Sequence, residues 1–190
     1  MNLELLLSFL GKLEKSKCIP RHSWTSSGRQ ESVAEHSWRL AAIVYLMKDE
    51  LKGYDIEKML AMALFHDLSE VKHGDIPGFD KTDADVKNEK KALEEISTEY
   101  NQLGIGEIIN TIEDFDEQLS KEARLVKALD KLEAVIQHNE ADIKTWIDRE
   151  SDLNLSYGFE ECQIENILAD FRKLVKDKTI EKMNDHNLRP

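Results

Sequence analysis

The sequence has few residues that break helices or form cross-links. Only 3 Pro, 8 Gly and 2 Cys occur among its 190 residues. Because helices tolerate proline and glycine least, their scarcity favours a mostly helical protein. The two cysteines, Cys18 and Cys162, lie far apart, which excludes a disulfide-rich secreted scaffold and predicts a reduced, cytoplasmic protein. The length is that of one domain.

Basic charge and long apolar runs are also scarce. The 26 Lys and Arg are outnumbered by 38 Asp and Glu, for a net charge of -12. This sign is wrong for binding a phosphate backbone, so we expect no nucleic acid polymer as a partner. The apolar run from Leu5 to Leu10, interrupted by Ser8, is far shorter than the roughly 20 residues that cross a bilayer. We therefore expect no membrane anchor.

Hydrophobic spacing predicts a single all-α domain over residues 1–180, with C-terminal helices in about 141–176 and a tail at 181–190. Capping boxes, in which Ser or Thr precedes an acidic residue by three positions, predict two of the helix starts. The first predicted helix covers residues 2–17 and carries a stripe of leucines. Three more run from Ser32 to Met47, from Asp55 through Val71 to an end near Gly74, and from Thr82 to about Gln102. The last three are a short helix around Ile108–Phe115, a helix that Ser120 caps and that runs through Ile136, and a helix from Glu160 to about Lys176. Residues 20–31 and 151–158 are predicted loops.

Four polar or ionisable residues interrupt otherwise apolar helical faces: His36, His66, Asp67 and Asp130. Burying them without partners is costly, and a divalent cation would satisfy all four together. Two imidazoles and two carboxylates form a mixed nitrogen and oxygen set that suits Mn, Fe, Co or Zn. The alternative is that each histidine is an ordinary core residue with a hydrogen-bond partner. Asp130 could likewise pair with Lys127 or Lys131.

Four ordered segments carry a resemblance to a known family. ESVAEHSWRLA at 31–41 supplies the first histidine, HDLSEVKHGDIP at 66–77 the His-Asp pair, and RLVKALDKLEAVIQ at 124–137 the last aspartate. PRHSW at 20–24 resembles a fourth element. Together they resemble the HD-domain metal-dependent phosphohydrolases, and in particular their 5'-deoxynucleotidase branch. The resemblance covers roughly residues 3–140.

The resemblance implies a single HD-domain helical bundle and a role for each matched residue. His36, His66, Asp67 and Asp130 would bind a divalent cation (Mn, Co, Mg, Fe or Zn). Glu70 and Asp75 would do the proton chemistry, and Glu70 would share a helix face with His66 four residues earlier. Arg21 would bind the phosphate and Trp24 would pack on the sugar or base.

Glu70, Asp75, Arg21 and Trp24 could also have purely structural roles. Glu70 could be a solvated helix residue and Asp75 a turn residue, while Arg21 could pair with a surface acid and Trp24 could cover the core. Among the other histidines, His22 is expected to line the site and the sequence indicates no role for His138.

The function expected from this resemblance is hydrolysis of 2'-deoxynucleoside 5'-monophosphates to nucleoside and orthophosphate. The same ligand set could serve another nucleotide, such as a nucleoside triphosphate, a guanosine tetraphosphate or a cyclic dinucleotide. A metal- or nucleotide-binding module without catalysis is a further alternative. The family also implies a homodimer.

Overall fold

The computed structural model describes residues 1–78 and 80–186, which form a helical bundle with one small hairpin. The helices are α1 (Leu3–Leu13), α2 (Val33–Met47), α3 (Ile56–Phe65), α4 (Glu70–His73), α5 (Asp83–Glu99), α6 (Gly106–Glu117), α7 (Lys121–Glu140), α8 (Glu150–Ser156) and α9 (Asn166–Asp185). The strands are β1 (Pro20–Trp24) and β2 (Gln30–Ser32). Short 3₁₀ segments occupy Glu14–Lys17, Asn101–Leu103, Ile143–Thr145 and Glu161–Ile164. The all-α prediction is confirmed.

Side-chain caps begin the helices where the sequence predicts them. The Ser32 hydroxyl accepts the Glu35 N–H at 3.3 Å, and the Glu35 carboxylate accepts the Ser32 N–H at 2.9 Å. Thr82 and Asp85 form the same reciprocal pair at the start of α5. Ser120 accepts the N–H three residues on, at 3.1 Å, and so begins α7. These caps satisfy backbone donors that a helix start leaves without partners.

The predicted loop 20–31 is instead mostly an antiparallel hairpin. β1 pairs with β2, with Pro20 opposite Ser32 and Trp24 opposite Gln30. Its turn is closed by the Thr25 N–H, which donates to the Arg29 carbonyl at 2.8 Å. These residues have weak strand propensity. The hairpin depends on its contacts with α7, which a sequence pattern does not reveal.

The predicted helix from Asp55 to Val71 is broken after Phe65. The Leu68 N–H donates to the Phe65 carbonyl at 2.9 Å, and the Glu70 N–H donates to the Asp67 carbonyl at 3.1 Å. These are bonds to the third residue back, tighter than those of an α-helix. Glu70 therefore begins the separate helix α4, and the prediction that it shares a continuous helix face with His66 is wrong.

The C-terminal part is more helical than predicted. Residues 151–156 of the predicted loop lie in α8, and α9 continues to Asp185 rather than ending at about Lys176. Met183, in the predicted tail, is fully buried. Arg172 is also fully buried, and its guanidinium donates to the Asn154 carbonyl at 2.9 Å, which joins α9 to α8. Residues 187–190 of the predicted tail lie outside the described residues.

Two apolar clusters hold the helices in place. One lies where α2, α3 and α9 surround α7, and the other lies where α1, α4, α5 and α6 meet. α7 passes through the first cluster with Leu125, Leu129 and Leu132 fully buried. α1 packs through Phe9, while much of the predicted leucine stripe, Leu3, Leu7 and Leu10, is exposed. Within the described residues, no helix is both long and apolar enough for a membrane span.

Candidate active site

The structure brings together the four residues that the sequence predicts as metal ligands. His36 comes from the first turn of α2, His66 and Asp67 from the break after α3, and Asp130 from the middle of α7. His36 Nε2 lies 3.0 Å from Asp130 Oδ1, and His66 Nε2 lies 3.1 Å from Asp67 Oδ2 and 3.9 Å from Asp130 Oδ1. Residues far apart in the chain thus present two nitrogens and two carboxylates to one buried point.

The orientation of His66 fits a metal ligand. Its Nδ1 lies 3.2 Å from the Ala63 carbonyl, and because a carbonyl only accepts, Nδ1 carries the proton. In a neutral imidazole Nε2 then carries the lone pair; this atom is buried and has no hydrogen-bond partner. A lone pair facing two carboxylates is unfavourable unless a cation lies between them. The donor set therefore fits a divalent cation.

His36 is oriented by Glu133, a residue that the sequence analysis missed. His36 Nδ1 lies 2.5 Å from Glu133 Oε2, and Arg39 Nε donates to Glu133 Oε1, also at 2.5 Å. His36 and Glu133 are both fully buried. A carboxylate on the second imidazole nitrogen is the usual way in which proteins orient a metal-binding histidine. The position of Glu133, one turn after Asp130 within the apolar run of α7, is the signal that could have found it.

The charges of the site are strongly coupled. Burial and Arg21 lower the pKa of His36, but Glu133 and Asp130 outweigh them and raise it to about 10. Burial raises the pKa of Asp67, yet His66 and Arg21 hold it well below its usual range. For Asp130, burial is again outweighed, here by Lys127 and His36, which keep the pKa well below its usual range. Both aspartates are therefore ionised, as metal ligands must be.

Asp130 also makes the lysine contact that the sequence left open. Lys127 Nζ lies 3.2 Å from Asp130 Oδ2, whereas Lys131 contacts Glu161 instead. Because His36 faces the other oxygen, the lysine pair and the histidine contact coexist. Lys127 thus adds positive charge beside the candidate metal centre.

A cavity of about 120 Å³ opens next to this centre. Asp67 and Asp130 reach the cavity from the candidate metal centre. Among the described residues that line it are also Arg21, Glu70, Asp75, Lys81 and Lys127. The cavity carries cations suited to a phosphate.

Arg21 lies within a group of carboxylates. Its Nε is 3.4 Å from Glu31 Oε2, and its Nη1 is 3.4 Å from Asp67 Oδ2 and 4.0 Å from Asp75 Oδ1. Burial lowers the pKa of Arg21, but these carboxylates raise it above its ordinary value, so the guanidinium stays charged. Arg21 is therefore not a surface residue paired with one acid.

Glu70 is buried, with an exposed fraction of only 4%. Its Oε2 has no hydrogen-bond partner. Burial and the nearby carboxylates of Asp67 and Asp75 raise its pKa to about 10. In this arrangement Glu70 holds a proton at neutral pH, which a solvated helix residue would not do.

Other residues named from the sequence are placed differently. Trp24 is half-buried, and it is not among the described residues that line the cavity; its carbonyl accepts the Gln137 side chain at 2.5 Å. His22 lines the cavity, as expected. His138, for which the sequence indicates no role, also lines the cavity and lies beside His22, with ring centroids 5.2 Å apart.

A helical bundle with two histidines and two aspartates converging beside a charged cavity defines a candidate metal-dependent hydrolase. The family model described as HD domain matches residues 13–171. The chain therefore belongs to the HD-domain family, and this membership implies a divalent cation.

Individual relatives agree with this assignment. The chain is 32% identical to the human 5'-deoxynucleotidase HDDC2 over 71% of this chain and 67% of that one. It is 36% identical to the Dictyostelium discoideum 5'-deoxynucleotidase HDDC2 over 69% of this chain and 74% of that one. In structure it is similar to a predicted metal-dependent phosphohydrolase from Magnetospirillum magnetotacticum, with a TM-score of 0.79, 23% identity and coverage of 99% and 96%. The last similarity concerns the fold.

Proposed function

We propose that this protein is a metal-dependent 5'-deoxynucleotidase, which hydrolyses 2'-deoxynucleoside 5'-monophosphates to nucleoside and orthophosphate. The observation that carries the proposal is the convergence of His36, His66, Asp67 and Asp130 at a cavity that also contains Arg21 and the buried Glu70. The printed function of the HDDC2 relatives supports the substrate class.

The four ligand residues would hold the cation, and Mn, Co, Mg, Fe and Zn all remain candidates for it. Bound there, a divalent cation supplies positive charge that polarises the phosphoryl group and lowers the pKa of water. Glu133 keeps the His36 ring oriented, and Ala63 does the same for His66. These two contacts fix the direction of both imidazole rings before substrate arrives.

The remaining chemistry belongs to side chains in the cavity. Arg21 would bind the non-bridging phosphate oxygens, with Lys127 nearby as a second positive charge. A water oxygen forms the new bond to phosphorus while the bond from phosphorus to the 5' oxygen breaks. Glu70 would give its proton to that leaving oxygen and would regain one from the orthophosphate, which carries the protons of the attacking water. Asp75 would orient the water or a substrate hydroxyl. Trp24 remains a proposed contact for the sugar or base.

The test is phosphate release from a panel of ribo- and deoxynucleotides: 5'- and 3'-monophosphates, diphosphates and triphosphates. The protein is first chelated and then supplied with Mn, Co or Mg. Metal-dependent turnover of 5'-monophosphates, fastest for the deoxy forms, is the expected result, and His66→Ala should abolish it. Release of pyrophosphate or triphosphate from other nucleotides would rule out 5'-monophosphates as the substrate class. Absence of turnover with every metal would favour a binding module.

The homodimer and the cytoplasmic location are part of the same proposal. Three leucines of α1, namely Leu3, Leu7 and Leu10, are at least half exposed, and a second copy of the chain could cover them. Cys18 and Cys162 are both free thiols, which suits a reducing compartment. Sedimentation equilibrium should give twice the mass of one chain, and Leu7→Glu should give the mass of one.

A further inference from the structure

A second group of metal-ligating side chains lies on the cavity wall and shares no residue with the first. His22 comes from β1, His138 from the last turns of α7, and Glu150 from the start of α8. One ligand atom from each lies within 4.8 Å of the others. His138 and Glu150 are buried, and the His22 side chain is 26% exposed. Three separate elements therefore converge on one point.

Two of the three distances within this group match those of a tetrahedral metal site. His22 Nε2 lies 3.3 Å from Glu150 Oε1, and His138 Nε2 lies 3.6 Å from the same oxygen. Zinc binds nitrogen and oxygen ligands at about 2.0–2.2 Å, which puts neighbouring ligands of a tetrahedron about 3.3–3.6 Å apart. Glu150 Oε1 therefore lies at the distance from each imidazole nitrogen that a shared ion requires.

In two of these side chains, His138 and Glu150, the polar atom that does not face the proposed ion makes a hydrogen bond. This bond holds the remaining polar atom toward the centre of the group. His138 Nδ1 donates to Asn154 Oδ1 at 2.8 Å, so its lone pair is on Nε2, which points toward Glu150. Glu150 Oε2 accepts the Ile147 N–H at 2.7 Å, and this leaves Oε1 facing both imidazoles. Such outer contacts are typical of metal-binding histidines and carboxylates.

One neighbour competes for the same lone pair. The Ser23 hydroxyl lies 3.1 Å from His138 Nε2 and donates to it. Rotation of the Ser23 side chain about its Cα–Cβ bond frees that lone pair, whereas the contacts of Asn154 and Ile147 are unaffected. Ser23 therefore distinguishes a hydrogen-bond network, which needs the hydroxyl, from a metal site, which does not.

We propose that His22, His138 and Glu150 form a second divalent cation site, suited to zinc, that joins β1, α7 and α8 on the wall of the cavity. The two imidazoles and one carboxylate are a ligand set that zinc binds with a water as the fourth ligand. The nearby positive charge of Arg21 is offset by Glu31, Asp67 and Asp75. The site is independent of the hydrolytic function proposed above.

Counting zinc per chain tests the proposal. The full-length protein is equilibrated with excess zinc, freed of unbound metal and measured by mass spectrometry of the elements. Wild type should hold two zinc ions, His22→Ala one, His66→Ala one, and the double variant none. His73→Ala, which removes an exposed histidine of α4, is the matched control and should hold two. A wild type with one ion, or a His22→Ala variant with two, would overturn the proposal.

Two further measurements keep the test decisive if a variant is poorly folded. Zinc should raise the Tm of His66→Ala but not that of His66→Ala combined with His22→Ala. Ser23→Ala should retain two zinc ions, since it removes only the competing hydroxyl; loss of the second ion there would contradict the assigned geometry. Neither measurement depends on hydrolysis, so a failed activity assay leaves the result intact.

Discussion

At the scale of single residues, the carboxylic acid of Glu70 carries a specific prediction. Glu70→Gln keeps the shape of the side chain but removes its transferable proton, so kcat should fall about 10²- to 10⁴-fold while the metal stays bound. Steady-state kinetics and metal analysis of the same preparation check this. Glu94→Gln, an exposed position on α5, should behave as wild type. Loss of metal from Glu70→Gln would show that Glu70 acts by supporting the centre.

Glu133 is predicted to act through His36. Glu133→Gln leaves the volume unchanged but removes the negative charge beside His36 Nδ1 and Arg39 Nε. Metal affinity should therefore weaken about 10- to 100-fold, as is usual when such a supporting contact is lost. Competition with a chelator measures this. Glu140→Gln, which removes the exposed partner of Arg39, should leave affinity unchanged, and an equal loss there would contradict the assignment.

Single residues also show which parts of the candidate site could be predicted from the sequence. The family pattern selected His36, His66, Asp67 and Asp130, and the fold places all four together, although their role as ligands stays a prediction. Glu133 escaped because its spacing from Asp130 indicates a shared helix face but not that the side chain is fully buried. Its importance depends on α2 lying against α7, a long-range contact that spacing along one helix does not encode.

At the scale of elements, the connection between α8 and α9 is predicted to tolerate no side chain at Gly158. This residue has φ of +75°, and a Cβ there would lie 2.9 Å from the Cβ of Lys131 on α7. Gly158→Ala should therefore lower the free energy of unfolding by about 2–4 kcal/mol, from backbone strain and overpacking together. Urea denaturation measures this.

A matched glycine separates the two contributions. Gly104 also has a positive φ, of +73°, but a Cβ there would meet nothing within 4 Å. Gly104→Ala should cost only the strain, about 1 kcal/mol. Equal losses for the two variants would mean that the contact with α7 contributes nothing.

The elements also separate what local signals determine from what they leave open. The Ser32, Thr82 and Ser120 caps predicted their helix starts, because a cap is satisfied within its own turn. The hairpin of β1 and β2 and the break after Phe65 were missed. No proline or glycine marks that break. Both features depend on partners elsewhere in the fold, so local propensity does not reveal them.

At the scale of the whole molecule, the two thiols report on global unfolding. Cys18 is exposed, whereas Cys162 is fully buried, and burial raises the pKa of its thiol to about 11. Since the thiolate is the reactive form, a thiol reagent should modify one cysteine in the native protein and both in urea. Cys18→Ser should leave none reactive in the native state. Rapid native reaction of both would mean that the packing between α7 and α9 opens easily.

The amino-acid sequence by itself determined the helical class, most helix starts and the candidate ligands, because composition, caps and short motifs act within a few residues. Only the tertiary structure decided which side chains meet. It placed Glu133 on His36, buried Glu70 near Asp67 and Asp75, and brought His138 to His22 and Glu150. These outcomes depend on burial and on contacts between distant segments, which arise only when the helices pack.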